Sequence, residues 1–272
     1  QNKATGVYNA WGATTLYLKR RKRCRQMMRF QTEAALILFT QDHLRRYWSP
    51  EMIAWQWRRE HAGDRLSHGT IYAALRKGLV PHCSRKEHLR RRGRRKYERG
   101  ATATIKPERI LKDRCEEANL RQRIGDWEGD TMYGSMGKGC LLTCVDRKSR
   151  YLAAAVLPNK SADTVRKAFR QVLRGHTVRT LTLDNGAEFS MFQAIEQDLG
   201  AEIYFCDPRA PWQRGTNENA NGLLRFFFPK GTDFLSVTQQ ALDHVLAIIN
   251  TRPRKCLGGL SSSDFLRALC CT

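Results

Sequence analysis

Apolar positions recur at helical spacing through the first part of the chain and change period near residue 125. RFQTEAALILFTQDHLRR, residues 29–46, predicts a helix of some four turns. WSPEMIAWQWRRE predicts a second, with Ser49 as N-cap, Pro50 at the first helical position and Glu51 at the positive helix end. Ile53, Ala54 and Trp57 form its inner stripe. HAGDRL breaks the pattern, with Gly63 suited to a left-handed turn. Ser67 then caps SHGTIYAALRKG, in which Ile71, Tyr72 and Leu75 line one face and Gly78 ends the helix. Helix, glycine turn and short capped helix make a helix-turn-helix pattern, whose second helix can enter a major groove; periodicity alone equally allows a plain helical hairpin. On the DNA reading His68, Gly69, Thr70, Ala73 and Arg76 look outward, and His68, Thr70 and Arg76 are candidate contacts.

From Gly125 the period becomes that of strands. GDWEGDTMYG places Glu128, Asp130 and Met132 on one face and Trp127, Thr131 and Tyr133 on the other. GCLLTCVDRKSRYLAAAVLP predicts two antiparallel strands joined by a polar turn that Asp146 organises. Cys140 and Cys144 share a strand face and read as small buried hydrophobes. SADTVRKAFRQVLRGH predicts a helix starting near Ser161, and VRTLTLDNG a strand ending at the turn Asn185-Gly186. AEFSMFQAIEQDLG, NENANGLLRFFF and VTQQALDHVLAIIN predict further helices, and AEIYFCD a strand. Three strands followed by alternating helices and strands imply an α/β mixed sheet with helices on its faces. IKPERILKDRCEEANLRQR predicts a short helix leading into it.

Charge adds a partner to this picture. The 272 residues carry a net +22, and residues 1–124 hold 30 basic against 11 acidic side chains while residues 125–272 hold 18 against 15. An excess confined to one half points to a nucleic-acid-binding region joined to a separate catalytic or structural unit. The run HLRRRGRRKYERG, with Arg91, Arg92, Arg94 and Arg95, suits phosphate contacts along a basic linker. No apolar run approaches the eighteen or so residues of a membrane helix, and no basic amphipathic helix favours a membrane surface. The expected division is a basic segment at 1–29, a helix-turn-helix domain at 30–80, a basic linker at 81–124 and a catalytic domain at 125–272.

Two carboxylates fall where open α/β sheets place active sites: Asp130 within the first strand and Asp184 at the end of a later one. In APWQRGTNENANGLLRFFFPKGT, Glu218, Asn221 and Arg225 share a helix face, Leu223, Leu224 and Phe227 are expected to face the sheet, and the Asn/Gly richness suggests close approach to a ligand. Thirty-three residues separate Asp184 from Glu218.

Asp130, Asp184 and Glu218 resemble the DDE triad of retroviral-integrase-like polynucleotidyl transferases. GDWEGD, VDRKSRY, LTLDNGAEF, PWQRGTNEN, NGLLRFFFPKGT and NTRPRKCLG, in that order, resemble bacterial insertion-sequence transposases of family thirty, and WSPEMIA and SHGTIYAAL resemble that family's helix-turn-helix. The resemblance runs from about Trp48 to Phe265. It implies an RNase H-like core, Mg²⁺ ions (Mn²⁺ substituting) held by the three carboxylates, and cleavage and strand transfer of DNA without a covalent protein intermediate. It further implies double-stranded partners, namely element terminal inverted repeats and target DNA, a homo-oligomer on DNA, and a bacterial cytoplasmic location at the nucleoid. Arg225 is expected to contact DNA phosphate near the cut, and Arg214, a DNA-binding candidate, is expected with Trp212, Asn217 and Asn219 to position loop and DNA. Glu128, on the strand face of Asp130, is expected to be structural or exposed, the alternative being a group that supports the triad from behind. The family carries another helix-turn-helix upstream, so the chain is expected to begin within the stretch that follows it. A nuclease without strand transfer and a catalytically silent DNA-binding derivative are the competing functions.

Overall fold

The computed structural model describes residues 10–23, 28–90, 109–135, 137–207 and 210–270. Arg91, Arg92, Arg94 and Arg95 lie outside the described residues. Helix α1 (Ala10–Arg23) precedes α2 (Ala34–Arg45), α3 (Pro50–Glu60), α4 (His68–Arg76) and the single turn α5 (Arg85–His88). Ser49 and Ser67 cap α3 and α4, each hydroxyl accepting from the backbone N–H three residues on, Met52 at 3.4 Å and Thr70 at 3.2 Å. Gly63 takes the left-handed conformation between the two helices, φ 87°. Phe30, Leu36, Leu44, Ile53, Trp57 and Ile71 meet in one buried core.

One local expectation needs correction and another refinement. Residues 29–46 are not one helix: Arg29–Gln31 forms a 3₁₀ turn and α2 begins at Ala34. Here the Arg29 guanidinium bridges Glu33 and Asp64, at 2.6 Å from each, and Gln31 Oε1 accepts from Met28 N. Ala74 also belongs to the inner stripe of α4, fully buried, while Tyr72 packs at the margin of that core. Tyr72 is half-buried and its hydroxyl donates to Glu51 Oε1 at 3.1 Å.

The expected helix before the sheet is reduced to a 3₁₀ turn at Leu111–Asp113 and one turn of helix, α6 (Glu116–Asn119). Between them Arg114 turns inward, donating to Thr182 Oγ1 at 2.9 Å and Asn119 Oδ1 at 2.8 Å, which ties the segment to the sheet. Strands β1 (Asp126–Tyr133), β2 (Cys140–Asp146) and β3 (Leu152–Leu157) form an antiparallel meander. Strands β4 (Thr180–Leu183) and β5 (Glu202–Phe205) add in parallel to β1, giving the order β3-β2-β1-β4-β5.

Helices α7 (Ala162–Val172) and α8 (Phe192–Leu199) cover one face, where Trp127, Cys144, Phe169, Leu183, Ile195 and Phe205 pack. Helices α9 (Gly215–Phe227) and α10 (Gln239–Asn250) cover the other, over Met132, Leu141, Val145, Leu224, Leu242 and Ile249, and α11 (Ser262–Cys270) follows. With both faces covered, β2 is buried along its whole length. This is an RNase H-like α/β mixed sheet flanked by helices and preceded by small helices, the class the sequence predicts. Among the described residues no helix is long and apolar enough to cross a membrane.

Candidate active site

Alternation along β1 sends Thr131 toward α7 and α8 and sends Glu128, Asp130 and Met132 toward α9. The parallel register aligns Glu128 with Thr182, so two residues further on Asp130 and Asp184 stand level, where β1 and β4 cease to pair. Gly129 has no room for a side chain: a Cβ would lie 2.7 Å from Leu183 Cδ2 and 3.1 Å from the Phe169 ring. Its smallness lets α7 and β4 close against β1 just beneath the carboxylates.

The two aspartates converge on Arg214, from the 3₁₀ turn Pro211–Arg214 that opens α9. Arg214 Nη1 is 3.2 Å from Asp130 Oδ1, and Nη2 donates to Asp184 Oδ2 at 2.7 Å. Nη1 also donates to the Gly129 carbonyl at 2.9 Å, which fixes the guanidinium plane. Burial pushes the Asp130 carboxyl above its ordinary value; Arg214 opposes the rise and the Asp184 charge adds to it. Burial alone would lower Arg214, but Asp130 and Asp184 outweigh it and hold the guanidinium pKa above its ordinary value.

Asn221, one turn beyond Asn217 on α9, donates from Nδ2 to Asp130 Oδ2 at 2.8 Å. Thr143 Oγ1 donates to Asn221 Oδ1 at 2.9 Å and fixes the amide orientation. Beneath them, Asn217 donates from its backbone N to Glu128 Oε2 and from Nδ2 to Glu128 O, both at 2.9 Å. Glu128 is fully buried and ion-paired with Arg147, so it is not exposed, and its bonds to Asn217 give it a structural place behind the aspartates.

Glu218 is exposed in the first turn of α9, three residues from Asn221 on the neighbouring stripe. Among the described residues no three acidic, histidine or cysteine side chains are drawn together at metal-holding distances. The structure thus assembles Asp130 with Asp184 and supplies Glu218 from the adjoining helix edge. Arg225 shares that edge, as its spacing predicts. It is half-buried and donates from Nη2 to the Tyr133 carbonyl, and Lys160 Nζ lies 4.6 Å from the Tyr133 ring centre, so two cations flank the end of β1.

Several expected residues are placed differently. Arg214, expected to position loop and DNA, is occupied by the two aspartates and has little exposed surface. Leu223 and Phe227, expected against the sheet, are half-buried and pack on the edge of its core, and Ala220 joins Leu224 inside it. Asn217 is buried, Trp212 is exposed, and Asn219 accepts from Arg90 Nη1 at 2.8 Å. In the helical region His68 and Arg76 are exposed and Thr70 half-buried. Asp146 accepts from the Ser149 N–H and hydroxyl, both at 2.6 Å, and so organises the turn after β2.

Sequence reasoning gave no role to Glu188, although LTLDNGAEF contains it. It is buried, accepts from Thr131 Oγ1 at 2.7 Å and pairs with Lys160 at 3.5 Å. A Cβ at Gly186 would lie 2.6 Å from Glu188 Oε2 and 3.0 Å from Asp184 Oδ1, so this acid flanks the aspartate pair.

Residues 121–211 match the family model described as integrase core domain, a span that includes Asp130 and Asp184. The chain is 39% identical over 232 residues to the transposase InsI of insertion sequence element IS30A from Escherichia coli (strain K12), covering 79% of this chain and 60% of that protein. It is 38% identical over 231 residues to the transposase of element IS4351 from Bacteroides fragilis, covering 81% of this chain and 69% of that protein. A structural comparison pairs 53% of the chain with 95% of the catalytic core domain of BIV integrase at 23% identity and a TM-score of 0.44. The chain therefore spans about 60% of the length of the Escherichia coli relatives it matches. On the identity and coverage of the Bacteroides fragilis protein, together with the integrase-core match around the paired aspartates, this chain belongs to the family of insertion-sequence transposases typified by IS30.

Proposed function

We propose that the chain cuts DNA phosphodiesters at the ends of an insertion element and joins the freed 3′ ends to target DNA, with Asp130, Asp184 and Glu218 holding Mg²⁺ or, in its place, Mn²⁺. The observation that carries this reading is the convergence of Asp130 and Asp184 on a single cation at the ends of two parallel strands. The donor set fits a hard divalent ion: carboxylate oxygens from two strands, already gathered around positive charge, with a third carboxylate on the adjoining helix edge. Bound Mg²⁺ would supply Lewis-acid polarisation of the phosphate and help ionise the attacking oxygen.

The chain's own residues prepare that site. Asn221, held by Thr143, orients the Asp130 carboxylate, and Arg214 keeps Asp130 and Asp184 together against their mutual repulsion. Arg225 and Lys160 place positive charge at the rim for the DNA backbone. In cleavage, a water oxygen bonds to phosphorus as the P–O3′ bond breaks, leaving a 3′-hydroxyl and a 5′-phosphate while the water proton passes to solvent. In joining, that 3′-hydroxyl attacks a target phosphodiester and the target's own 3′ oxygen leaves. Helix α4, with His68, Thr70 and Arg76, and the arginine run at 91–95 would bind the duplex ends, and a homo-oligomer would bring two ends together. The setting would be the bacterial cytoplasm, on the nucleoid.

The test is nicking and joining of labelled element-end DNA with and without Mg²⁺. The parent is expected to yield both products only with the metal, and Asp184→Asn to lose both by more than about a hundredfold, as for removal of one transition-state stabiliser. Nicks without joined product would replace this reading with a nuclease. Tight binding without cleavage in either protein would leave a DNA-binding derivative.

A further inference from the structure

Helix α9 has two functional edges. Glu218, Asn221 and Arg225 lie on the edge beside the aspartates. Thr216, Asn219 and Leu223 lie on the opposite flank and face two adjoining cavities. The larger, about 850 Å³, lies between the helical region and α9; the smaller, about 220 Å³, lies at the start of α9. Asn219, Arg254 and Cys256 line both, so the two adjoin along a shared wall and together make up the groove beside α9.

Its walls combine guanidinium groups with aromatic rings. Arg121 and Arg150 converge on Thr216 Oγ1, at 3.4 and 2.9 Å, and Arg254, whose Nε donates to Ser262 Oγ at 2.8 Å and whose Nη2 reaches the Ile249 carbonyl at 3.5 Å, borders the same cavity. Arg90 and Arg252 line the larger part, and Gly222 leaves space for Arg90 to lie across α9. Among the described residues Arg121, Arg150, Arg252 and Arg254 form no ion pair, and Arg252 Nη2 lies 3.9 Å from the Met52 sulfur. The Nε atoms of Arg150 and Arg252 are buried without a hydrogen-bond partner. Burial and the charges of Arg254 and Arg90 press Arg252 down to about 10, and burial and Arg150 also lower Arg121 and Arg254. The carboxylate on the wall of the larger cavity, Glu51, already accepts from Tyr72.

The rings form their own cluster. Tyr47 packs edge-on against Phe226 and Phe227, at 5.4 and 5.1 Å between ring centres, and Trp48 lines the same cavity. Tyr47, Arg121 and Arg150 all hold the left-handed backbone conformation, φ 59°, 58° and 61°. Each closes a local chain reversal, Tyr47 after α2, Arg121 after α6 and Arg150 in the turn between β2 and β3, and these turns set the three side chains on the groove. Uncompensated guanidinium groups call for phosphate, and half-buried rings beside them call for an unstacked base.

We infer that the groove along the outer flank of α9 binds an unpaired DNA strand, its phosphates on Arg121, Arg150, Arg252 and Arg254 and its bases against Tyr47, Trp48 and Phe227. A duplex, whose bases stack internally, would offer this groove phosphates alone. The source of the strand, a DNA end opened beside the carboxylates, rests on the transposase reading. Binding itself requires neither metal nor catalysis.

The test therefore uses the full chain without metal, as parent and as Asp184→Asn, with a fluorescein-labelled oligothymidylate of about twelve nucleotides and a duplex of equal length, site sizes of this order being usual for one strand-binding groove. Arg252→Met and Arg150→Met are each expected to weaken oligothymidylate binding about five- to tenfold and to flatten the logarithmic salt dependence by about 0.7, the change for one lost single-strand phosphate contact. Duplex affinity should change less than about twofold, since the basic surfaces elsewhere remain. Arg252→Met should also raise the melting temperature of the DNA-free protein, because it removes a buried charge without a counter-ion, whereas a merely structural arginine would lower it. Strands carrying 5-iodouracil should crosslink in the parent to Tyr47, Trp48 or Phe227, a readout independent of variant folding.

Unchanged affinity and salt dependence, equal weakening toward strand and duplex, or crosslinks confined to other surfaces would each overturn the proposal. So would thermal protection of the parent by millimolar inorganic phosphate equal to that by oligothymidylate, which would make the pocket one for a free anion. Failure of the nicking assay leaves all these readouts intact.

Discussion

Single side chains in this fold do their work through what surrounds them, and His176 shows how that becomes measurable. Its ring lies 5.3 Å from the Trp127 ring and 5.4 Å from that of Tyr151. Burial lowers its pKa below the ordinary 6.5, only partly opposed by Asp146. The folded protein therefore keeps His176 neutral where the unfolded chain has begun to protonate. Below pH 6.5 the unfolded state binds more protons, so the contribution present above that pH is lost progressively as pH falls through the folded value. Melting temperatures measured between neutral pH and pH 5 should fall more steeply for the parent than for His176→Phe. Parallel profiles would mean that the ring is solvated in solution. Burial has a related consequence for the cysteines: the Cys140 thiol is pushed up to about 11, and Cys144 further, so both pack as inert hydrophobes.

At the scale of elements, α9 must stay in register with β1, because Asn221 touches Asp130 from one and Glu218 projects from the same helix. Glu128 supplies that registration. It joins β1 to Arg147 after β2 and to the backbone and side chain of Asn217 on α9, with no exposed surface. A buried pair of this kind gives position more than net stability, but breaking it leaves an uncompensated buried charge. Glu128→Ala should lower unfolding free energy by about 3–5 kcal/mol, and Glu128→Leu combined with Arg147→Met should recover much of the loss. Denaturant unfolding of both variants checks this; equal losses would show that packing, not the lone guanidinium, sets the penalty. The aspartate pair was legible in the sequence because strand alternation and the Asn185-Gly186 turn locate Asp130 and Asp184 without knowledge of the fold. Arg214 was visible only as a basic residue near Glu218. Its position between the aspartates depends on how the 3₁₀ turn before α9 returns across β1, which no local periodicity encodes. Glu188 was hidden for the same reason: its partners Thr131 and Lys160 are distant in sequence. The helix boundaries missed at Arg29 and Leu111 trace likewise to arginines that bond across the chain, Arg29 to Asp64 and Arg114 to Thr182.

The whole molecule contains two kinds of core, and their separation governs how it should unfold. The clusters on the two sides of the sheet share its strands, so neither survives loss of the other. The helical cluster around Ile53, Trp57 and Ile71 contains no residue of the sheet. Contact between the two regions runs through the groove beside α9, by the Arg90–Asn219 hydrogen bond, Tyr47 against Phe226 and Phe227 and Arg252 against Met52, and also at Gly259, which lies close against Trp55 and Arg59 of α3. A few polar bridges and one small aromatic cluster couple folding weakly compared with a shared apolar core. Truncating the fully buried Ile71 to Ala should destabilise the helical region by about 2–5 kcal/mol, and truncating Phe189, fully buried under the sheet, by about 3–5 kcal/mol. Hydrogen exchange read by region should then separate the two. Ile71→Ala should accelerate exchange in α2–α4 and leave β1–β5 protected, whereas Phe189→Ala should open the sheet on both faces together. If Ile71→Ala deprotected the strands equally, the groove would be a rigid seam, and the ordering of its arginines and rings would come from the fold of the whole chain rather than from a ligand.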